Sequence, residues 1–241
     1  ISQLGGTPVV LSASDLQLGR GETVADTGRV LSRYLDGVMI RALQHETVTE
    51  LAANADIPVI NGLTNLSHPC QIMADLQTII EYHGSLKDAK VCWFGDGNNI
   101  ANSWIEAAAL FGFELRLAGP EAYRPPAALL AWARARGAEI ILTEDPVAAA
   151  IDASVIATDV WVSMGDEAGS RERDMRPFQV TTALMDRAQP DAIFMHCLPA
   201  VRGQEVTAEV IDGTQSVVFD EAENRLHAQK AIMAHILSEN F

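Results

Sequence analysis

Basic residues are scarce in this chain: Lys and Arg total 17 against 32 Asp and Glu, giving a net charge of −15. A nucleic-acid partner needs a basic footprint along the phosphate backbone, so this balance argues against one. It argues equally against an anionic membrane surface. Any anion the chain binds must sit in a local basic pocket. Only Lys87, Lys90 and Lys230 are lysines. Cysteine is scarce too, with Cys70, Cys92 and Cys197 alone. An odd number without a CxxC spacing fits neither a disulfide framework nor a cysteine metal site. A reducing cytosol is therefore the expected location. No apolar run reaches the roughly 18 residues of a membrane-spanning helix, no secretory leader is expected, and no internal repeat is found.

What is present reads as an ordinary globular sequence of 241 residues, 48% hydrophobic and 20% charged. Such a length suits one large domain or two modest ones and buries about 70% of the unfolded surface. Strand and helix patterns alternate. Residues 7–11, 38–41, 58–61, 89–94, 113–117, 140–142, 155–158, 192–196 and 217–219 read as strands. Residues 22–34, 45–55, 71–82, 100–111, 127–136 and 223–237 read as helices. This alternation implies parallel sheets covered by helices. A boundary is expected near Gly84-Ser85, with 71–82 as a linking helix. Residues 166–176, dense in charge between glycines, read as a mobile polar loop.

Five short constellations could carry chemistry, and each has a plain alternative. Gly95-Asp96-Gly97-Asn98-Asn99 follows a strand and opens a helix, where backbone can approach a ligand; it equally suits a tight turn, and without a third glycine the dinucleotide pattern is incomplete. His68-Pro69-Cys70-Gln71 places Pro69 in a first helical turn and aims His68 and Gln71 at the helix start. His68 there is either an oxyanion donor or a cap. His196-Cys197-Leu198-Pro199 puts a thiol at the carboxyl end of a strand, as a site group or a small hydrophobe. Asp159 follows another strand, as a ligand or a turn residue. Arg41 and Arg225 are bidentate anion donors or solvated surface groups.

Taken in order, Arg41, His68-Pro69-Cys70-Gln71, Asp96-Gly97-Asn98-Asn99, Asp159-Val160-Trp161-Val162-Ser163-Met164-Gly165, His196-Cys197-Leu198-Pro199 and Glu221-Ala222-Glu223-Asn224-Arg225 resemble the ornithine carbamoyltransferases over nearly the whole chain. The HPxQ and HCLP elements are shared by the wider carbamoyltransferase family; DxWxSMG is particular to the ornithine branch. The family's Ser-Thr-Arg-Thr phosphate-binding run is not found. Leu4-Gly5-Gly6-Thr7-Pro8 resembles the segment just after it, so the chain is expected to be N-terminally incomplete.

The resemblance implies an α/β fold of two domains, each a mainly parallel sheet flanked by helices, joined by linking helices. Residues 1–83 with 223–241 are expected to bind carbamoyl phosphate, and 84–222 ornithine. It implies carbamoyl transfer to the δ-amine of L-ornithine, giving citrulline and phosphate, in the cytoplasm, with neither metal nor organic cofactor. Arg41, His68, Asp159 and Cys197 are the implied catalytic residues. Gln17, Arg41, His68, Gln71, Cys197, Leu198 and Arg225 are the implied carbamoyl phosphate contacts. Asn99, Asp159, Ser163 and Met164 are the implied ornithine contacts. A homotrimer is expected, with Gln17 reaching a neighbouring subunit's site, and a cis peptide at Leu198-Pro199. Other readings stay open: a different amine acceptor such as putrescine, a nicotinamide dehydrogenase built on Gly95-Asp96-Gly97, or a non-catalytic fragment.

Overall fold

The computed structural model describes residues 1–12, 21–162 and 170–238. It divides into two compact units, Ile1–Cys70 with Leu226–Phe241, and Gln71–Arg225. The division between these units falls inside a helix, at Cys70.

In the first unit, α1 (Val24–Leu31) starts at Thr23, whose hydroxyl accepts the Asp26 N–H at 3.1 Å. Asp26 sits in the first turn, where negative charge suits the helix N-terminus. Strand β1 (Val38–Arg41), helix α2 (His45–Asn54) and strand β2 (Val59–Leu63) then form one crossover unit. β1 and β2 pair in parallel from Val38↔Val59, with a register shift between Ile40 and Arg41. Parallel neighbours need such a crossover, because no tight turn can join them. Leu31, Val48 and Leu51 are buried in this unit.

The expected strand at residues 7–11 does not form. Those residues adopt no regular structure, and Val9, Val10 and Leu11 are exposed. A strand exists through its ladder, and no described strand lies alongside them.

Helix α3 (Pro69–His83) carries the chain into the second unit. There β3 (Lys90–Phe94), α4 (Asn99–Phe111), β4 (Glu114–Ala118), α5 (Ala127–Arg134), β5 (Ile140–Thr143), α6 (Pro146–Ala150), β6 (Val155–Thr158), α7 (Arg171–Met175), α8 (Thr182–Met185), β7 (Ile193–His196) and α9 (Ala208–Ile211) follow, and α10 (Val218–Ser238) closes the chain. The sheet is parallel throughout, in the order β5-β4-β3-β6-β7. Alternation along the strands feeds two cores. Val91, Trp93, Leu115, Leu117, Val155, Ala157, Ile193 and Met195 join Ile79, Trp104 and Leu130 on one face. Cys92, Phe94, Ile156 and Phe194 join Ala149, Leu184 and Val210 on the other.

Two expectations change here. Residues 217–219 are not a strand: Ser216 makes one isolated bridge to Phe194, and α10 begins at Val218. A single bridge satisfies too little backbone to hold a short β-branched run extended against the helix that follows. Residues 171–176 of the expected polar loop are helical, in a stretch that runs on to Phe178, because Met175 and Phe178 bury their side chains. Residues 166–169 of that loop lie outside the described residues.

Candidate active site

The order β5-β4-β3-β6-β7 contains a reversal. From β3 the chain builds outward through β4 and β5, then returns to lay β6 on the other side of β3. The loops after β3 and β6 therefore diverge at the carboxyl ends of adjacent strands, the place where open parallel sheets bind ligands. Asn98 and Asp159 occupy those two loops. Asn98 Oδ1 accepts the Ile100 and Ala101 N–H groups at 2.9 and 3.0 Å, capping α4, while its Nδ2 donates to Asp159 Oδ2 at 3.0 Å.

Thr158 pairs with His196 across β6 and β7, so the next residues, Asp159 and Cys197, emerge side by side. The Cys197 thiol donates to Asp159 Oδ1 at 3.2 Å, and the Val160 N–H donates to the same oxygen at 2.8 Å. Burial, and then the Asp159 carboxylate, hold the thiol well above its ordinary pKa. Cys197 is thus a protonated donor rather than a thiolate nucleophile. Leu198 follows in the left-handed region with φ 55°, and its peptide bond to Pro199 is cis, as the resemblance implied.

The turn is braced from behind. His196 Nδ1 accepts the Leu198 N–H at 2.9 Å, which leaves Nε2 to donate to Glu205 Oε1 at 3.2 Å. Asp159, His196 and Cys197 each place one ligand-type atom within 4.8 Å of the others. Both His196 nitrogens and the thiol already have hydrogen-bond partners, however, so a metal there would have to break those bonds.

Gln71, in the first turn of α3, is fully buried. Its Nε2 donates to Asp75 Oδ1 at 2.8 Å and to Glu221 Oε1 at 3.2 Å, while its Oε1 is buried without a hydrogen-bond partner. Burial raises the pKa of both acids, Asp75 to about 7. The positive charge of Arg225 acts against that rise on both. Asn99 starts α4, half-buried beside its cap residue.

Arg41 and His68 belong to the first unit. Arg41 is exposed as the last residue of β1, paired with Leu63. His68 is buried just after a turn closed by the Thr64 N–H to Ser67 carbonyl bond of 2.9 Å, and it immediately precedes Pro69. Gln17, Ser163 and Met164 lie outside the described residues.

The glycines after β3 have a structural use. A Cβ on Gly97 would stand 2.2 Å from the Pro125 nitrogen, and one on Gly119 2.0 Å from the Gly95 carbonyl oxygen. The loop is packed against its own chain, which is the tight-turn reading rather than a dinucleotide cradle. Sequence reasoning gave Glu221 no role beyond its place in the Glu221-Ala222-Glu223-Asn224-Arg225 run, and did not single out Asp75, Glu205 or the bridging role of Asn98. The i,i+4 spacing of Gln71 and Asp75 was the one local signal for Asp75.

Comparison with known proteins identifies the arrangement. Residues 1–81 match the carbamoyl-P binding domain, and residues 87–236 the Asp/Orn binding domain, of aspartate/ornithine carbamoyltransferase. The chain belongs to the aspartate/ornithine carbamoyltransferase family. An ornithine carbamoyltransferase of Bradyrhizobium diazoefficiens is 58% identical over 233 residues, which is 96% of this chain and 76% of the relative. The solved ornithine carbamoyltransferase of Pyrococcus furiosus superposes with TM-score 0.94 at 51% identity, covering 98% of this chain and 78% of that one. An anabolic ornithine carbamoyltransferase from Campylobacter jejuni gives TM-score 0.94 at 41% identity, over 100% of this chain and 81% of that one. The carbamoyltransferase fold of two domains with mainly parallel, helix-flanked sheets is the one described above. Among the described residues no helix is long and apolar enough to cross a membrane.

Proposed function

We propose that this carbamoyltransferase transfers the carbamoyl group of carbamoyl phosphate to the δ-amine of L-ornithine, releasing citrulline and phosphate. The observation that carries the proposal is the Asp159–Cys197–Asn98 cluster at the sheet's reversal point in a chain of this family. The neutral amine nitrogen attacks the carbamoyl carbon, the new C–N bond forms, the C–O bond to phosphate breaks, and the surplus proton of the nitrogen ends on the released phosphate. Asp159 and Cys197 hold and orient the amine. A carboxylate favours the ammonium form, so Asp159 positions the amine rather than deprotonating it.

Attack builds negative charge on the carbamoyl oxygen. Arg41 and His68 donate to it, an electrostatic stabilisation that grows toward the transition state. Gln71 Oε1 and the Leu198 carbonyl accept from the carbamoyl –NH2. Arg41, Arg225 and Gln17 contact the phosphate. Asn99, Asp159, Ser163 and Met164 read the α-amino and α-carboxylate groups of ornithine. Residues 1–83 with 223–241 serve carbamoyl phosphate, and residues 84–222 serve ornithine.

The same reading places the enzyme in the cytoplasm, in arginine biosynthesis, as a homotrimer. The trimer is supported by the resemblance of residues 15–22 to a loop the family shares between subunits, and by the exposed Val9, Val10 and Leu11 nearby in sequence. Light scattering tests it, and a stable active monomer overturns it. The function is tested by citrulline formation with a panel of amines. Ornithine is the preferred acceptor; higher kcat/KM with putrescine overturns the reading.

A further inference from the structure

Two carboxyl groups that the mechanism does not use lie buried behind it. Asp75 is 2% exposed and Glu221 is 1% exposed, in α3 and α10. Unpaired buried charge is costly, so this pair is a feature to be explained. Together they dictate which way Gln71 faces. An amide side chain has a donor end and an acceptor end that differ little in shape. With Nε2 donating to both acids, the other end must be Oε1, and that oxygen is the buried atom left without a partner. Glu221 also reaches the His196-Cys197-Leu198 turn, where its Oε2 accepts the His196 N–H at 2.8 Å.

We propose that the Asp75–Glu221 pair is the positioning device for the carbamoyl amide: it presents Gln71 Oε1 to one N–H of that group and, through His196, sets the Leu198 carbonyl for the other. The inference rests on the role given to Gln71 in the proposed function. The ligand chemistry follows from the acceptors. Two carbonyl oxygens suit an uncharged –NH2 with two hydrogens and reject a group offering only acceptors there. A reversed Gln71 would set its own N–H against the carbamoyl N–H.

The surroundings keep the pair able to accept. Its two carboxyls face each other and Asp159, with Cys197 adding a protonated thiol and Arg225 the compensating positive charge. Burial lifts both acids, so near neutrality the pair retains a proton between its members while its outer oxygens accept from Gln71 and His196. Asp75 and Glu221 touch no substrate in this scheme; they are positioning residues.

The test is a double-mutant cycle read in steady-state citrulline formation. Asp75→Leu removes the acceptor but adds volume, so the near-isosteric Asp75→Asn is measured beside it. Asp75→Leu is expected to lower kcat/KM for carbamoyl phosphate by roughly 30-fold, the loss of one charge-assisted hydrogen bond. KM for ornithine should move less than about threefold, and Asp75→Asn, which still accepts from Gln71, should recover most of the loss. In the Gln71→Ala background, Asp75→Leu should cost less than about twofold more, because it acts only through Gln71. Equal effects of Asp75→Leu and Asp75→Asn, or full additivity with Gln71→Ala, overturn the proposal. If Asp75→Leu does not fold, Glu221→Gln replaces it; its amide nitrogen cannot accept, and it should lower kcat/KM for carbamoyl phosphate similarly, while a wild-type value overturns the proposal. Should Gln71→Ala alone leave kcat/KM untouched, the functional role of Gln71 fails, which is a separate result from additivity.

Discussion

Asp159 and the Asp75–Glu221 pair are carboxyl sites of the same unit, and they solve opposite problems. Asp159 stands at strand ends and accepts from Asn98, the Val160 N–H and the Cys197 thiol. These donors leave it arranged around a negative charge. Asp75 and Glu221 are buried side by side, and burial is the first cause lifting both. In the proposed reaction one site meets the substrate amine, while the other holds neutral hydrogen-bond donors in place. The difference teaches that carboxylate function here is set by the donors around it and not by residue type.

The comparison breaks hardest at the buried pair. Glu221→Leu strands the His196 N–H and one bond of Gln71, and leaves Asp75 without its neighbour. The expected cost is about 2–4 kcal/mol of stability, seen as a lowered denaturant midpoint. A midpoint within error of wild type would show the pair to be dispensable for folding.

Asp159→Asn removes charge but keeps an acceptor. It is expected to lower kcat/KM for ornithine by about 10- to 100-fold, the worth of about 1.5–3 kcal/mol. Carbamoyl phosphate binding, followed by calorimetry, should change little, and stability less than for Glu221→Leu. An unchanged kcat/KM for ornithine rejects the assignment.

Acid and base sharpen the contrast further. Asp75, lifted to about 7, binds a proton when folded that the unfolded chain releases near its ordinary value of 3.8. Folding therefore takes up a proton between those values, and stability falls as pH rises through that window, by at most about 1.4 kcal/mol per unit. Above the folded value the effect levels off. Asp152 and Asp212, held low by hydrogen bonds from Lys90 and Arg202, act in the opposite sense only at lower pH. Melting temperatures from pH 5 to 8 should decline for wild type and less steeply for Asp75→Asn, in which Glu221, also lifted by burial, still acts in the same sense; parallel curves would contradict this.

The smallest change is Cys197→Ser. A hydroxyl donates to Asp159 as the thiol does, so kcat should fall by only a few-fold. Because burial keeps the thiol protonated, alkylation of Cys197 should be slow at neutral pH. Fast labelling there would show a thiolate.

The two carboxyl sites also differ in how far the sequence discloses them. Asp159 sits in DxWxSMG after a buried β-branched strand, so pattern and resemblance both point to it. Residues 90–94, 155–158 and 193–196 declare themselves the same way, as apolar runs ended by polar residues. Asp75 carries no such signal, because its burial is decided by residues far away in sequence, Glu221 above all. Residues 7–11 and 217–219 mislead for the same reason. A β-branched run states a preference, while a strand also needs a partner whose position no local pattern gives.

Asn98 leaves unusually little room for exchange. Its oxygen takes the first free N–H groups of α4, and its nitrogen reaches Asp159. Aspartate would serve the helix equally well and set a second negative charge against Asp159. Serine would serve the helix and fall short of the carboxylate. Glutamine would carry both chemical ends on a stem too long for the cap. Helix start and the setting of the Asp159 carboxylate are thus written in a single residue, so a substitution judged harmless by helix rules alone would be felt first at that carboxylate.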